Sequence, residues 1–299
     1  MKNRWKMNPI LKKELMVGSR SIKMSLAIMG MNGFLTLIVI IVMMAAAGQA
    51  SFSSYDYSDL IYLFLALGCI ECGILSLIVP IITSGSISGE REKQTLDIML
   101  TTPVKPFSIA VGKLESAMVV VMMYMISSIP LLAIAFILGG LSWWALLGLI
   151  GMMLYLGIYV GSVGIFCSSV VKRSIAATIL TIAIGVGIIT VTAIIFGVWN
   201  GVAAYLGVLA NGVSYEYEMG ASLIVLMLNP YAPFFDFMVR AMSSYSVYTM
   251  WDSVGNGNVL LEGIYRAWIP LSMIINLLIA FGFLKLAARN IAATRNKKK

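Results

Sequence analysis

The clearest pattern in the sequence is a series of long apolar runs separated by short polar or charged stretches. Six of these runs reach the length of about 20 apolar residues that a helix needs to cross a hydrocarbon core. They occupy residues 22–47, 59–84, 116–138, 144–170, 175–198 and 263–287. The pattern therefore predicts an all-α membrane protein with six transmembrane helices, and a transmembrane domain that covers residues 22–287.

The third run admits a longer helix than the others. Its apolar residues begin at Phe107, but a helix from there to residue 138 would be about 48 Å long at about 1.5 Å per residue. Because Lys113 and Glu115 would lie in its first turns, we assign residues 107–115 to the aqueous side.

Composition agrees with insertion in a membrane and removes several classes of chemistry. The chain of 299 residues is 60% hydrophobic and 11% charged, with a mean hydropathy of +0.94, whereas a soluble domain is about 25% charged. It contains no histidine, which excludes histidine metal sites and Ser-His catalysis. Cys69, Cys72 and Cys167 have neither zinc nor disulfide spacing. We expect no catalytic residue, no metal and no cofactor bound by this chain.

The distribution of basic residues predicts the orientation in the membrane. Lysine and arginine concentrate around the start of the first run, within residues 85–115, between the fourth and fifth runs and at the end of the chain; only Arg240 and Arg266 fall on the other side. Because cytoplasmic loops carry the excess of basic residues, the N-terminal segment 1–21 and the basic tail 288–299 are predicted to be cytoplasmic. The net charge of +8 then fits a face beside anionic lipid and requires no nucleic acid.

A further apolar stretch lies within the predicted outer segment, residues 199–262. Residues 221–242 resemble a seventh span, but an odd number of spans would place the basic C-terminus outside. Asn229 and Pro230 interrupt the stretch, because a proline ends or kinks a helix, and Pro233 follows them. We therefore predict re-entrant or outer-leaflet helices that do not cross, which are tolerated where protein or water covers the backbone.

Glu71 is an ionisable residue well inside the second run. A charge at the centre of a bilayer costs about 3 kcal/mol on insertion scales, so this carboxyl must be paired, protonated or in contact with water. It is a candidate for the transport path or the interface between protomers. The alternative is a protonated carboxyl bonded to a neighbouring helix.

Small residues follow one face of the fourth run. Gly157, Gly161, Gly164 and Ser168 recur at helical spacing, and small residues allow two helices to approach closely. We interpret them as packing positions within the chain, with a contact between protomers as the alternative.

The stretch SGEREKQTLDIMLTTPVKP concentrates charge between the second and third runs. We predict a short helix from Gly89 to about Leu100, with Glu90 and Glu92 in a first turn where the helix dipole stabilises anions, and a Thr-Pro pair that ends it. Such a helix can lie along the membrane surface and present its polar side to a soluble partner. A solvated loop that only connects two spans is the alternative.

Three stretches of the chain carry a family resemblance. GEREKQTLDIMLTTPVKPFSIAVGKL (89–114) resembles the cytoplasmic coupling segment of ABC-2 exporter permeases, which are membrane subunits of ATP-binding-cassette transporters. LKKELMVGSRS (11–21) and LNPYAPFFDF (228–237) resemble further stretches of that family, and the branch named for multi-copper enzyme maturation permeases is the most similar. The positions that match the coupling motif are Gly89, Glu90, Arg91, Glu92, Thr95, Leu96, Asp97, Leu100, Thr102, Pro103, Val104, Gly112 and Lys113.

The resemblance implies a type V exporter fold with a coupling helix between the second and third spans. A second protomer, identical or different, would face this one around a path. The coupling helix would dock on a separate ABC ATPase, present in two copies, which would bind ATP and Mg²⁺. Residues 8–20 would form a connecting helix that includes Lys13, Glu14 and Arg20. The implied location is the plasma membrane of a bacterium, in contact with its lipids.

The sequence agrees with the need for a separate ATPase. A P-loop requires G-x-x-x-x-G-K-[ST], but the only Gly-Lys pair is Gly112-Lys113, and Phe107 and Leu114 occupy the flanking positions. We therefore predict a permease subunit, not itself an enzyme, that couples ATP hydrolysis by its partner to outward translocation. An amphipathic peptide or lipid-like molecule is the favoured substrate class. The alternatives are a channel or scaffold that uses no ATP, and an exporter related to ions or copper maturation.

Overall fold

The structure, a computed structural model, is helical in the part of the chain that it describes. The described residues are 22–50, 61–95, 105–138, 142–211, 225–242 and 267–296. Their helices are α1 (Ile22–Ala50), α2 (Ile61–Glu92), α3 (Pro106–Leu138), α4 (Trp143–Val170), α5 (Ser174–Asn211), α6 (Ala232–Met242) and α7 (Trp268–Asn296). Of these, all except α6 are long and apolar enough to cross a membrane. The prediction of an all-α protein with six candidate spans is confirmed.

α4 is the central helix of the bundle. It packs against α2, α3, α5, α6 and α7, and its buried side chains include Leu149, Met153 and Ile165. In its most apolar stretch 67% of the residues are buried within the protein, against 11% for α5 and 17% for α1. The long apolar faces of α1 and α5 are therefore open to lipid or to another helix.

α2 and α3 are both longer than predicted on the side of the bundle where α2 ends and α3 begins. α2 continues from the predicted end at residue 84 to Glu92, and α3 begins at Pro106 instead of residue 116. Within residues 107–115, which we expected to project into water, Ala110 and Leu114 pack against three other helices, whereas Phe107 and Glu115 are exposed. The apolar cluster at this end consists of Ile87, Ala110, Leu114, Ile165, Leu284, Ala287 and Ile291. We call this end of the bundle, which also contains Gly89–Thr95, Lys113 and Val171–Ser174, the charged end.

α5 and α7 also differ from the predicted boundaries. α5 runs to Asn211, so the predicted outer segment starts within that helix. α7 continues through Lys285 and Arg289 to Asn296, so most of the predicted basic tail is helical. Of the remaining outer segment, the structure describes residues 225–242.

α6 is a short helix seated between α2, α4 and α7. Its Phe234 and Met238 are fully buried. Two glycines provide the space for it: a Cβ at Gly68 would lie 2.6 Å from the Cε of Met238, and a Cβ at Gly148 would overlap the ring of Phe237. With 11 residues, α6 is too short to cross a bilayer.

Candidate functional site

α2 ends in a Schellman motif at the charged end. The N–H of Thr95 donates to the carbonyl of Glu90 at 2.9 Å. The N–H of Gln94 donates to the carbonyl of Arg91 at 3.1 Å, which completes the pair of bonds that defines this motif. Gln94 has a φ of 58°, in the left-handed region where glycine is usual. The helix start predicted at Gly89 is therefore wrong, because this residue and the acids after it lie in the last turn of α2.

Glu90 joins the end of α2 to α3. Its Oε1 lies 3.6 Å from the Nζ of Lys113, a side chain that is only 8% exposed. The hydroxyl of Thr95 donates to Oε2 of the same carboxylate and, at 3.2 Å, to the carbonyl of Glu90. Because Lys113 is mostly removed from water, its charge requires a partner. Glu90 provides one, so the two side chains tie α2 to α3.

Arg91 binds the end of α4. Its terminal nitrogens donate to the carbonyls of Ser169 at 3.3 Å and Val171 at 3.5 Å. The last carbonyls of a helix have no partner within the helix, and a cation at this position also interacts favourably with the negative pole of the helix dipole. Arg91 therefore caps a helix that lies about 80 positions further along the chain.

Glu92 binds the start of α5. Its Oε1 accepts from the N–H of Ser174 at 2.8 Å, and its Oε2 accepts from the hydroxyl of the same residue at 2.9 Å. Ser174 is the first residue of α5, where free N–H groups and the positive pole of the dipole favour a carboxylate. Three consecutive side chains of α2 thus reach three helices. We call Glu90, Arg91 and Glu92, with the contacts that they make, the clasp.

A cluster of hydroxyl groups joins α2 to α4 and α5 next to the clasp. The buried Oγ of Ser168 on α4 accepts from the N–H groups of Ile87 and Ser88 on α2, each at 2.9 Å. The hydroxyls of Ser84 and Thr178 share a hydrogen bond of 2.5 Å between α2 and α5. This part of α2 has the sequence TSGSISG, whose residues have low helix propensity. Contacts with neighbouring helices support the helix here.

The helices leave a shorter connection at the charged end than the sequence predicted. Residues 93–105 lie between α2 and α3, in place of the predicted segment 85–115. Lys93, Gln94 and Lys105 are exposed. The predicted coupling and connecting residues outside the described part of the chain are Leu96, Asp97, Leu100, Thr102, Pro103, Lys13, Glu14 and Arg20.

Glu71 lies on α2 and is buried against α3, with only 1% of the residue exposed. Its Oε1 accepts a hydrogen bond of 2.5 Å from the hydroxyl of Ser128, and its Oε2 has no hydrogen-bond partner among the described residues. At the adjacent position of α3, the hydroxyl of Ser127 accepts from the Nδ2 of Asn32 on α1 at 3.0 Å. Neighbouring serines therefore tie α3 to both α1 and α2 inside an apolar core.

Asn229 closes the turn that precedes α6. Its Oδ1 accepts from the N–H of Tyr231 and its Nδ2 donates to the Oγ1 of Thr192 on α5, both at 2.9 Å and both buried. Pro230 occupies the turn and Pro233 the first turn of α6, positions where a missing N–H costs little. The predicted interruption of the apolar stretch is thus a turn that is hydrogen-bonded to α5.

The same turn is also hydrogen-bonded to α7. The carbonyl of Met227 accepts from the hydroxyl of Ser272 and from the Nδ2 of Asn276, each at 2.9 Å. These side chains satisfy a buried backbone carbonyl in the turn before α6. Within α6, burial raises the pKa of the Asp236 carboxyl, and the guanidinium of Arg240 at 3.0 Å acts in the opposite direction.

The three glycines of α4 face α2 and α3. A Cβ at Gly157 would lie 3.3 Å from a methionine of α3, and one at Gly161 would lie 2.7 Å from the Cδ1 of Leu114. A Cβ at Gly164 would overlap the Oγ1 of Thr83 on α2. The contacts become closer along this face of α4 towards the charged end.

Sequence reasoning missed several residues that hold these elements together. The available signal was a polar or small residue within an apolar run, which marks a packed position without naming its partner. The missed residues are Gly68, Gly148, Ser174, Thr192, Ser272 and Asn276. Among the described residues no group of three or more Cys, Asp or Glu is placed to hold a metal ion.

Comparison with known proteins identifies the family. The family model described as ABC-2 family transporter protein matches residues 70–289, and the chain belongs to this family. With six apolar helices it is a multi-pass membrane protein, the permease component of a transporter and not itself an ATPase. No curated protein matches the chain. The resemblance to ABC-2 permeases is confirmed, and the assignment to the multi-copper branch stays a prediction.

Proposed function

We propose that this chain is the membrane-spanning subunit of an ATP-driven exporter, which couples ATP hydrolysis by a separate ATPase to outward translocation of a substrate. Membership of the ABC-2 family supports a partner ATPase. The observation that carries the proposal is the clasp. One turn of α2 contacts α3, α4 and α5, so a displacement of the adjoining residues 93–105 is passed to three membrane helices at once.

In this proposal the charged end lies in the cytoplasm and residues 93–105 contact the ATPase. Lys93 and Gln94 are exposed at the start of this connection, and the motif positions Leu96, Asp97 and Leu100 follow. The two copies of the ATPase bind ATP and Mg²⁺, and a second permease protomer, identical or different, completes the path. The location is the plasma membrane of a bacterium, and the substrate is an amphipathic peptide or a lipid-like molecule.

The test is purification of the tagged full-length chain from its native membranes in a mild detergent. We expect a P-loop ATPase in the eluate, identified by mass spectrometry, and ATP hydrolysis that vanadate inhibits after reconstitution in liposomes. Lys93→Glu should lower the amount of ATPase recovered. Trp144→Ala, at an exposed site on the opposite end of the bundle (79% exposed), should leave it unchanged. A chain that carries no ATPase and still releases vesicle contents without ATP would be a channel and would refute the proposal.

A further inference from the structure

The family resemblance assigns Glu90, Arg91 and Glu92 to contact with the ATPase, but their hydrogen bonds indicate a different task. We propose that they are positioning residues, which hold the last turn of α2, the start of α3 and the turn between α4 and α5 as one rigid unit. The ATPase then contacts residues 93–105 and moves the unit as a whole. The part that concerns the ATPase rests on the proposed function, whereas the rigidity of the unit does not.

The polar atoms of the clasp already have hydrogen-bond or ion-pair partners within the chain. Both carboxylate oxygens of Glu92 accept from Ser174. Arg91 donates from both terminal nitrogens to carbonyls at the end of α4. Glu90 uses one oxygen for Lys113 and the other for Thr95. A protein that bound these three side chains directly would compete with their contacts to three helices.

The charges of the clasp match the polarity of the helix ends that they contact. Arg91 and Glu92 are neighbours of opposite charge, and they meet helix ends of opposite polarity. The guanidinium lies at the negative pole of α4 and the carboxylate at the positive pole of α5. Exchange of the two residues would keep the composition and the net charge but would make both contacts repulsive. This exchange distinguishes a helix-capping role from a general electrostatic attraction to a partner.

Contacts with other helices continue from the clasp along α2. Ser168 holds two backbone N–H groups of α2 at 2.9 Å, and Ser88 lies 3.5 Å from Ser174. A Cβ at Gly89 would lie 3.5 Å from the Oγ of Ser174 and would meet no other atom within 4 Å. The end of α2 and the start of α5 are therefore in direct contact, and a side chain added at Gly89 would fit without a clash.

The same geometry provides the test. A Cβ at Gly89 would lie 3.5 Å from the Oγ of Ser174, so the double variant Gly89→Cys/Ser174→Cys places two thiols close enough to be joined. The backbone N–H of residue 174 still donates to Glu92 in this variant. In membranes that contain the full-length chain, we expect mild oxidation to form this disulfide, detected by mass spectrometry. The added exchange Arg91→Glu/Glu92→Arg should slow its formation about tenfold, as expected when hydrogen bonds to charged groups are lost. Lys93→Ala, next to the clasp, is the matched control and should not change the rate.

Two outcomes of the cross-linking would overturn the rigid unit: no disulfide in the parent background, or an unchanged rate after the exchange. This readout needs no ATPase, so it decides the question even if no ATPase is recovered and the proposed function fails.

In the reconstituted complex, the oxidised Gly89→Cys/Ser174→Cys pair should keep the ATP turnover of the reduced protein, because the joined helices move together. A loss of turnover that a reductant restores would mean that the clasp opens during the cycle, and would refute the proposal. The exchange Arg91→Glu/Glu92→Arg should retain the ATPase in the eluate but remove the response of its turnover to the permease. Release of the ATPase with cross-linking unaffected would identify direct contact instead.

Discussion

Gly164→Ala should destabilise the bundle through one identified contact between α4 and α2. The added Cβ would overlap the Oγ1 of Thr83, lie 3.0 Å from its Cβ and lie 3.5 Å from the backbone nitrogen of Ser84. Thr83 has little freedom to move, because its side chain is buried and its hydroxyl donates to the carbonyl of Val79 at 2.8 Å. The two helices must therefore separate.

The magnitude follows from two opposing terms. Overpacking of a buried contact lowers the free energy of unfolding by about 1–3 kcal/mol. Replacement of glycine by alanine within a helix raises it by about 0.5–1 kcal/mol. Gly151 on the same helix supplies the control, because a Cβ there would meet nothing within 4 Å. The difference in free energy of unfolding between Gly164→Ala and Gly151→Ala isolates the steric term, and we expect it to be about 1–3 kcal/mol.

The assay is reversible unfolding in mixed detergent and SDS micelles, followed by tryptophan fluorescence. Thr83→Ala in the Gly164→Ala background removes the overlapping oxygen and should recover part of the loss. Thr83→Val keeps the volume of the branched side chain and should recover none of the lost stability. Equal stability of Gly164→Ala and Gly151→Ala, or equal recovery by the two substitutions of Thr83, would refute the reasoning.

Three further substitutions test other contacts. Gln94→Gly should stabilise the end of α2 by about 0.5–1 kcal/mol, because glycine adopts the observed φ of 58° without strain; faster amide exchange in that turn would contradict this. Asn229→Ala should lower the free energy of unfolding by about 1–3 kcal/mol, since the Oγ1 of Thr192 loses a donor and the buried N–H of Tyr231 loses its acceptor; unchanged unfolding would count against it. Glu71→Gln should fold as stably as the parent, because an amide oxygen still accepts from Ser128; a lower yield of folded protein would show that the charge itself is needed.

The spans were predictable because they depend on local composition. A run of about 20 apolar residues must cover its backbone polar groups within a helix wherever the surroundings are lipid. This holds for each of the long helices irrespective of its neighbours. The face of glycines on α4 was likewise visible in the sequence, since it follows from helical spacing, although Thr83 and Leu114 as the facing residues were not.

The ends of the helices were not predictable, because partners distant in the chain determine them. Glu92 suggested the first turn of a helix, but its partner is Ser174, 82 positions away. Lys113 suggested exposure to water, but Glu90 pairs with it. Gln94 in the left-handed region gives no signal, because glycine is the residue that marks such a position. A prediction made from each segment alone therefore places the end of α2 too early and the start of α3 too late.

The side of the membrane on which residues 93–105 lie decides whether a cytoplasmic ATPase can contact them. The measurement uses a chain with alanine at Cys69, Cys72 and Cys167, a single Lys93→Cys substitution, and a maleimide that does not cross membranes. The account predicts labelling in inside-out vesicles and none in intact cells, with the reverse for Ser142→Cys at the opposite end of the bundle. Labelling of Lys93→Cys in intact cells would place the charged end outside, where no ATPase can reach it, and would contradict the account.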